Sequence, residues 1–399
     1  PGAANTEKGY GPPTAPIVMS EPRGYRQSTF DVTLHAAKTN CVIRYTLDGS
    51  TPTGTTGFLY TNPICIAATT TLRALSIERD AVFDRVETRS WFFLEDVLTQ
   101  PTNAPASWPT NPVNGQVFEY GMRQSSVVAE PARIRTGFTN EIPTISLVTD
   151  LKNLVDAQTG IYVNPNNDGI AWERPVSVEL IDPKRGSNYE FQVNAGLRIR
   201  GAASRTVTNP KHSFRLFFRS EYGASKLEFP LFENEGVDRF DKVDLKCTQN
   251  YSWAYGNSTS ETFIREVFSR DTQGAMGQPY TRSRFYHVYI NGVYWGLYET
   301  QERGEAKYAA NYLGGTDEDW DTIKTVMPSR TTEAVDGTID RFTQLWDISM
   351  NQGGYAGSAA TNYYRVLGRN PDGTRNPDYP IYLDETNLFV RMLVFHYTG

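Results

Sequence analysis

The stretch GLRIRGAASRTVTNPKHSFRLFF, Gly196 to Phe218, contains two runs of alternating apolar and polar residues separated by a loop of small residues. Leu197 and Ile199 in the first run, and Phe214 and Leu216 in the second, recur with the period of two that is typical of strands. Basic residues stand on both sides of the loop. The pattern predicts two paired strands and leaves two interpretations of the loop, a phosphate cradle or a plain hairpin.

The hairpin interpretation assigns the two faces of the strand pair to different environments. Its apolar residues face a core, and the other face carries solvated or paired charges, Arg198, Arg200 and Arg215. Because the sequence lacks the Walker-type pattern GxxxxGK[ST], the residues by themselves favour the hairpin over the cradle.

Composition narrows the class of protein. A chain of 399 residues predicts two or three domains, and the 13% aromatic content favours strands and ordered loops over helical bundles. The net charge of −6 disfavours a nucleic-acid partner, which needs clustered Lys and Arg. The apolar run LFVRMLVFHY is short and carries Arg391, so it predicts a buried helix and no membrane span.

Changes of pattern along the chain divide it into four parts. Residues 1–14 are interpreted as the end of a preceding domain and a Pro/Gly linker, and 15–95 as a small all-β sandwich with an Asp-Gly turn. Residues 96–141 are a connecting segment to which no regular structure is assigned. Residues 142–399 show strands followed by helices, which predicts an α+β domain, and both ends of the sequence look cut.

Two local signals stand out within the last part. Ser258 and Glu261 have the spacing of a capping box and predict a helix from about Ser260 to Met276. Asn291-Gly292 lies between two alternating runs and predicts a type I′ hairpin.

The cysteines and histidines show no metal-binding spacing, so no metal site is predicted from them. Cys41 and Cys65 lie in the same small module. They form either a disulfide, if the compartment is oxidising, or two free thiols.

The first module resembles a known family. The segment IRYTLDGSTPT, followed by PICIAATTTLRALSI, is similar to the C-terminal domain of chitobiase and β-hexosaminidases over about residues 15–95. The resemblance implies an immunoglobulin-like sandwich that serves as an accessory module, either a rigid spacer or a glycan-binding domain. The first five residues, PGAAN, resemble the end of a lamin-tail domain.

The larger part resembles the spore-coat protein H (CotH) kinase family through the segments GLRIRGAASR, PKHSFRLFF, FIREVFSRDTQGAMG and YINGVYWGLYETQER. The resemblance implies an atypical protein kinase fold, with ATP and Mg²⁺ as cofactors and a protein as the substrate. It also implies a bacterial protein that is extracellular or lies at the cell surface.

The same resemblance suggests individual nucleotide-binding residues. Gly201 and Ser204 would form the phosphate loop and Lys211 would neutralise the phosphates. Tyr298 would stack on adenine, or pack in the core, and Glu302 would lie near the nucleotide.

Two further positions bear on the resemblance. Glu266 would orient Lys211, or else pair with Arg270 four residues later on the helix. His212 stands where the family often has a second lysine, which reduces the charge of the site.

One departure from the family limits the expected activity. The acidic residues that handle the attacking hydroxyl and hold Mg²⁺ are expected in segments that follow LVFHYTG, so the catalytic residues are unknown in this sequence. We expect this chain to be part of a large secreted or cell-surface protein, which phosphorylates other proteins when it is complete. The alternatives are a non-catalytic structural or adhesive protein and a carbohydrate-binding surface protein.

Overall fold

The computed structural model describes residues 17–36, 41–78, 86–252, 261–326, 329–351, 354 and 357–398. The chain divides into two compact units. The first unit consists of 1–229, 238–249 and 284–300, and the second of 230–237, 250–283 and 301–399. Residues 1–14, with the predicted linker, and the predicted cap residue Ser258 lie outside the described residues.

Strands predominate in the first unit and helices in the second. In the described residues the strands are β1 (Ile17–Met19), β2 (Gly24–Arg26), β3 (Phe30–Val32), β4 (Leu34–Ala36), β5 (Cys41–Thr46), β6 (Phe58–Leu59), β7 (Ile64–Ile66), β8 (Thr70–Glu78), β9 (Glu87–Phe93), β10 (Thr144–Val148), β11 (Arg174–Ile181), β12 (Phe191–Arg200), β13 (Ser213–Phe217), β14 (Leu227–Glu228), β15 (Arg239–Phe240), β16 (Lys242–Lys246), β17 (Ser283–Ile290), β18 (Val293–Gln301), β19 (Thr322–Val326) and β20 (Thr331–Asp336). The α-helices of the same residues are α1 (Leu94–Leu98), α2 (Gln124–Ala129), α3 (Pro131–Thr136), α4 (Lys152–Val155), α5 (Arg265–Ala275), α6 (Ala306–Leu313), α7 (Asp340–Ser349), α8 (Ala359–Val366) and α9 (Glu385–Thr398).

The N-terminal β region, β1 to β9, consists of short sheets around one core, and its strand pairs are antiparallel except for β2 and β9, which pair in parallel. A five-stranded sheet has the order β2-β9-β8-β5-β6, and β1-β4 and β3-β7 form two-stranded sheets. Val32, Ile66, Leu72 and Trp91 lie in the core with almost no exposed surface. The region is therefore rich in β structure, as the short alternating runs predict. Both Cys41 and Cys65 are free thiols, in agreement with the second of the two alternatives.

The strands that follow the connecting segment close into a barrel of the order β10-β11-β12-β13-β16-β18-β17. The pairs from β10 to β16 are antiparallel, and β10 pairs with β17 in parallel, Thr144 opposite His287. Asn291 and Gly292 have φ angles of 48° and 81°, so the predicted type I′ turn between β17 and β18 is confirmed. The individual strands were predicted, but their closure into a barrel was not.

The register of the barrel strands separates an apolar face from a polar face. Leu197 pairs with Leu216, and Ile199 pairs with Phe214, which in turn pairs with Leu245. All five side chains are buried. Because a small closed barrel is filled by the side chains of its inner face, this apolar face is the interior.

The other face of β12 and β13 carries buried ion pairs. Arg200 and Arg215 both contact the Asp244 carboxylate, with N–O distances of 2.6 Å. Arg198 lies 2.6 Å from the carboxylate of Glu173, whose side chain has no exposed surface. The structure thus has the strand geometry and the paired charges that the hairpin interpretation predicts.

The N-terminal β region packs against the outer face of the barrel within the first unit. Phe92 of β9 stacks on Tyr289 of β17 with ring centroids 3.9 Å apart. The Tyr25 hydroxyl lies 2.9 Å from Thr144 Oγ1 and 3.2 Å from the Tyr289 hydroxyl. Other apolar residues join the same buried cluster, Val97, Leu98, Phe138 and Ile181. The region is therefore fixed to the barrel, although residues 15–95 as an independently folding unit remain a prediction.

A buried carboxylate lies in the same interface. Glu179 of β11 has no exposed surface, and its Oε2 accepts a 2.5 Å hydrogen bond from the Ser90 hydroxyl of β9. Ser146 Oγ lies 2.9 Å from Ser90 Oγ, and Arg23 Nε lies 3.4 Å from Glu179 Oε1. Burial raises the pKa of Glu179, because the charged form loses its hydration.

The connecting segment contains regular structure that the sequence pattern did not show. It contains α2 and α3, and it begins within α1. Asn114 and Gly115 have φ angles of 51° and 79°, which is the geometry of a type I′ turn. Gln116 donates its backbone N–H across this turn to the Val113 carbonyl at 2.9 Å.

In the second unit, α5 and α9 contact each other through side chains. Gln273 Oε1 accepts a 2.9 Å hydrogen bond from Arg391 Nη1, and Ser269 Oγ donates to Thr398 Oγ1 at 3.0 Å. The predicted start of α5 near Ser260 is wrong, because the helix begins at Arg265. Phe263 has a φ of 63°, a backbone conformation that cannot belong to a right-handed helix.

We expect Glu179→Gln to change how stability depends on pH. The folded protein keeps a proton on Glu179 above pH 4.5 that the unfolded chain releases, so folding stability falls as pH rises from 4.5 through the raised pKa of this group. The variant should lack this fall, which urea unfolding at several pH values between 4.5 and 8 would measure. Glu228→Gln, whose side chain is 74% exposed, is the control and should keep the fall. Equal pH dependence of Glu179→Gln and the wild-type protein would contradict the prediction.

Candidate functional site

The small-residue loop, residues 201–212, joins β12 to β13 in the first unit. Gly201 has a φ of 127°, and a Cβ on it would lie 2.1 Å from Ser204 Oγ. Only glycine therefore fits at the start of the loop without a shift of Ser204. The Ser204 carbonyl accepts a 3.1 Å hydrogen bond from Asn209 Nδ2, which closes the loop on itself.

Lys211, the residue predicted to neutralise phosphates, has two partners in this structure. Its Nζ donates a 2.6 Å hydrogen bond to the backbone carbonyl of Glu119 and lies 3.9 Å from the centre of the Trp295 ring. Burial lowers the pKa of Lys211 from 10.5 to about 7, because the ammonium group loses its hydration there. The Lys211 side chain therefore changes charge near neutral pH, whereas a solvent-exposed lysine stays charged there.

His212 is fully buried and links the loop to the connecting segment. Its Nε2 lies 2.7 Å from Gln116 Oε1 and its Nδ1 lies 3.1 Å from the Ser204 carbonyl. Gln116 Nε2 donates to the carbonyls of Val117 and Asn209, both at 2.8 Å, so Oε1 is the atom that faces the imidazole.

The protonation state of His212 follows from these contacts and from burial. Burial lowers its pKa to about 4, so the ring is neutral at pH 7 and carries one proton. Both ring nitrogens face acceptor oxygens, so this single proton can make a hydrogen bond either to Gln116 Oε1 or to the Ser204 carbonyl. A second lysine at this position would place a full charge in the same buried site.

Tyr298 packs in the core beside the end of the loop. It is 1% exposed, its ring stacks on Phe214 at 6.0 Å, and its hydroxyl donates to the His212 carbonyl at 3.0 Å. Burial raises its pKa well above 10. An adenine ring cannot reach this tyrosine in the arrangement seen here. The core-packing alternative describes its position.

Glu302 belongs to the second unit and is held by three contacts. Its Oε2 accepts hydrogen bonds from Arg282 N at 2.9 Å and from Arg282 Nη1 at 3.1 Å. Its Oε1 accepts a 2.5 Å hydrogen bond from the Tyr312 hydroxyl. Both carboxylate oxygens are thus engaged, and the residue stabilises the packing of Tyr312 on Arg282, whose guanidinium lies 4.0 Å from that ring.

Glu266 pairs with Arg270 along α5, with Oε1 and Nη1 3.3 Å apart. This is the second of the two alternatives from the sequence. Among the residues that the structure describes, no group of three or more His, Cys, Asp or Glu side chains is arranged to hold a metal ion. Within the same residues, none of the helices is both long and apolar enough to span a bilayer.

Sequence reasoning missed Gln116 as a residue of this site. It lies in the connecting segment, 85 positions before Gly201, and no periodic pattern surrounds it. The Asn114-Gly115 pair was the available signal, since this dipeptide favours the turn that directs the chain toward the loop.

We expect the stability of the protein to rise with pH between about 7 and 10.5 because of Lys211. In this range the unfolded chain keeps the lysine proton and the folded protein has lost it. Lys211→Met should reduce the rise by about one proton per molecule, measured as the slope of unfolding free energy against pH. The control Lys184→Met changes an exposed lysine and should leave the slope unchanged. A Lys211→Met slope equal to the wild-type slope would mean that the lysine is solvated.

Comparisons with known proteins agree with two of the three resemblances seen in the sequence, those to the chitobiase/β-hexosaminidase C-terminal domain and to the CotH kinase family. Residues 21–82 match the family described as chitobiase/beta-hexosaminidase C-terminal domain, and residues 197–352 match the CotH kinase protein family. No curated protein matches the chain. The second match begins within β12, so β10 and β11 of the barrel precede it, whereas Gly201, Lys211 and Glu302 lie inside it. The chain therefore carries a segment of the chitobiase/β-hexosaminidase C-terminal type followed by a segment of the CotH kinase type.

Proposed function

We propose that this chain is part of a secreted or cell-surface bacterial protein whose barrel binds the phosphates of ATP, and that the protein acts as a kinase of the CotH type on protein substrates. The match of residues 197–352 to that family supports the kinase class. The proposed roles of ATP and Mg²⁺, the substrate class and the location go beyond that match.

One observation in the structure carries the nucleotide part of the proposal. The small-residue loop begins at Gly201, where a side chain would collide with Ser204, and it ends next to Lys211. Backbone N–H groups of such a loop can approach phosphate oxygens closely, and a nearby ammonium group can neutralise their charge. Gly201, Ser204 and Lys211 therefore fit the phosphate portion of ATP.

The described residues fit the rest of the ligand less well. Tyr298 is buried, so we assign no residue to the adenine ring. We also assign none to Mg²⁺, because the described chain offers no cluster of three suitable side chains. Bound ATP would supply the phosphoryl group, and the loop would bind and orient its phosphates.

A second candidate is a non-catalytic scaffold that keeps the kinase-like barrel. The contacts of Lys211 favour the scaffold, because its ammonium group is already bonded to the Glu119 carbonyl and lies over the Trp295 ring. Burial lowers the pKa of this lysine to about 7, so part of its population is neutral at physiological pH and attracts phosphate weakly. Nucleotide affinity distinguishes the two candidates.

We expect Lys211→Ala to weaken ATP binding by about tenfold or more, since a hydrogen bond to a charged group contributes about 1.5–3 kcal/mol. Isothermal titration calorimetry with ATP would measure the dissociation constant of each protein. Lys184→Ala, which removes an exposed lysine from the loop after β11, is the control and should bind like the wild-type protein.

Arg198→Ala is a poorer control for the same experiment, although the Arg198 side chain points away from the loop. It would leave the buried Glu173 carboxylate without its 2.6 Å partner and lower stability. Equal affinity of the wild-type and Lys211→Ala proteins, or no binding by either, would contradict nucleotide binding by this loop and favour the scaffold.

A further inference from the structure

A short part of the connecting segment runs along the small-residue loop. This part, residues 113–120, is called the strap. Its Asn114-Gly115 turn reverses the chain, and the first residue after the turn, Gln116, has no exposed surface. A glutamine is seldom fully buried unless its amide is hydrogen-bonded, so its contacts decide where the strap lies.

The strap is bonded to the loop at three successive points. Val117 donates its backbone N–H to the Val207 carbonyl at 3.0 Å. The Gln116 side chain reaches the Asn209 carbonyl at 2.8 Å and the His212 ring at 2.7 Å. These contacts pair the strap with residues 207–212, which lead directly to the lysine.

A fourth point of contact is Lys211 itself. The Glu119 carbonyl, three residues beyond Gln116, accepts the 2.6 Å hydrogen bond from its ammonium group. The acceptor is a backbone atom, so its position depends on the course of the strap and not on the side chain at position 119. Gln116 is therefore one of the residues that fix where this carbonyl lies.

Aromatic side chains attach the strap to the barrel. Phe118 stacks on Tyr162 at 6.0 Å, and Tyr120 packs edge-on against Trp295 at 6.1 Å. Trp295 is also the ring over which the Lys211 ammonium lies. The strap, the lysine and the barrel wall thus form one packed group.

We propose that the strap is an autoinhibitory latch that holds the Lys211 ammonium group on the Glu119 carbonyl and away from an incoming phosphate. The inference rests on the proposed nucleotide binding for its ligand, but the latch itself is a property of this chain's own contacts. A phosphate oxygen carries a negative charge and accepts a stronger hydrogen bond than a neutral carbonyl, so a nucleotide can compete with the strap for this group.

The test measures the accessibility of Lys211 directly. The 399-residue chain is acetylated with a trace of acetic anhydride at several pH values between 6 and 10, and the rate at each lysine is read by mass spectrometry, with exposed Lys184 as the internal standard. The pH dependence separates the pKa of Lys211 from the rate constant of its neutral amine, and this rate constant reports the accessibility of the side chain. Gln116→Leu removes the amide that bonds the loop. Gln158→Leu is the matched control, because it makes the same substitution at an exposed glutamine outside the strap and leaves Gln116 in place.

We expect the rate constant of the neutral Lys211 amine to be at least threefold higher in Gln116→Leu than in the wild-type and Gln158→Leu proteins, and Gln116→Leu to bind ATP at least threefold more tightly. An unchanged rate at Lys211 would overturn the latch. A faster rate with weaker ATP binding would also overturn it, since the strap would then support the loop. A faster rate with no ATP binding in any protein would confirm the latch and contradict the proposed function.

Hydrogen exchange of the wild-type protein covers the case in which Gln116→Leu fails to fold. The Val117 amide, which is bonded to the Val207 carbonyl, should exchange at least threefold faster when ATP is added at saturation. Slower or unchanged exchange at this amide, in a protein that calorimetry shows to be saturated, would overturn the latch. Gln116→Asn, which keeps the amide on a shorter side chain, should show an intermediate labelling rate at Lys211.

Discussion

The parallel pairing of β10 with β17 closes the barrel, and much of the first unit depends on it. Thr144 to Leu147 pair with His287 to Ile290, more than 140 positions later in the chain. This contact turns a row of strands into a closed wall with an interior, which is filled by residues such as Leu197 and Phe214. Without closure, β10 and β17 would be exposed edges, and the loop after β12 would lack its rigid support.

Closure also gives the barrel an outer face that must be covered or paired. On the β12 and β13 side, arginines are neutralised by Glu173 and Asp244. On the β10, β11 and β17 side, the N-terminal β region covers the surface with Phe92 and Tyr25. Buried charges contribute little net stability but are costly to leave unpaired, so these pairs favour one arrangement of the strands over others.

The candidate site lowers the pKa of two neighbouring basic side chains. Lys211 and His212 are neighbours in the chain, and burial lowers the pKa of both, to about 7 and about 4. The strap supplies neutral acceptors to both, a backbone carbonyl and an amide oxygen. A site that lowers positive charge in this way agrees with both proposals. In the first, Lys211 stays bonded to the strap until a phosphate replaces the carbonyl, and in the second the protein is a scaffold that binds no nucleotide.

The sequence alone determined the alternation of the strands, the hairpin between β17 and β18, and the two resemblances with which the comparisons agree. The period of two placed Leu197, Ile199, Phe214 and Leu216 on one face, and Asn291-Gly292 specified the hairpin, because both depend on neighbouring residues only. Tertiary structure decided the barrel closure, the burial of Tyr298, and the contacts of Lys211 with Glu119 and Trp295. The alternation of apolar and polar residues predicts which side chains share one face of a strand, but it does not predict which distant segment covers that face. Gln116 and its neighbours come from a segment without periodicity, so their place on the loop follows from packing and hydrogen bonding that exist only in the folded chain.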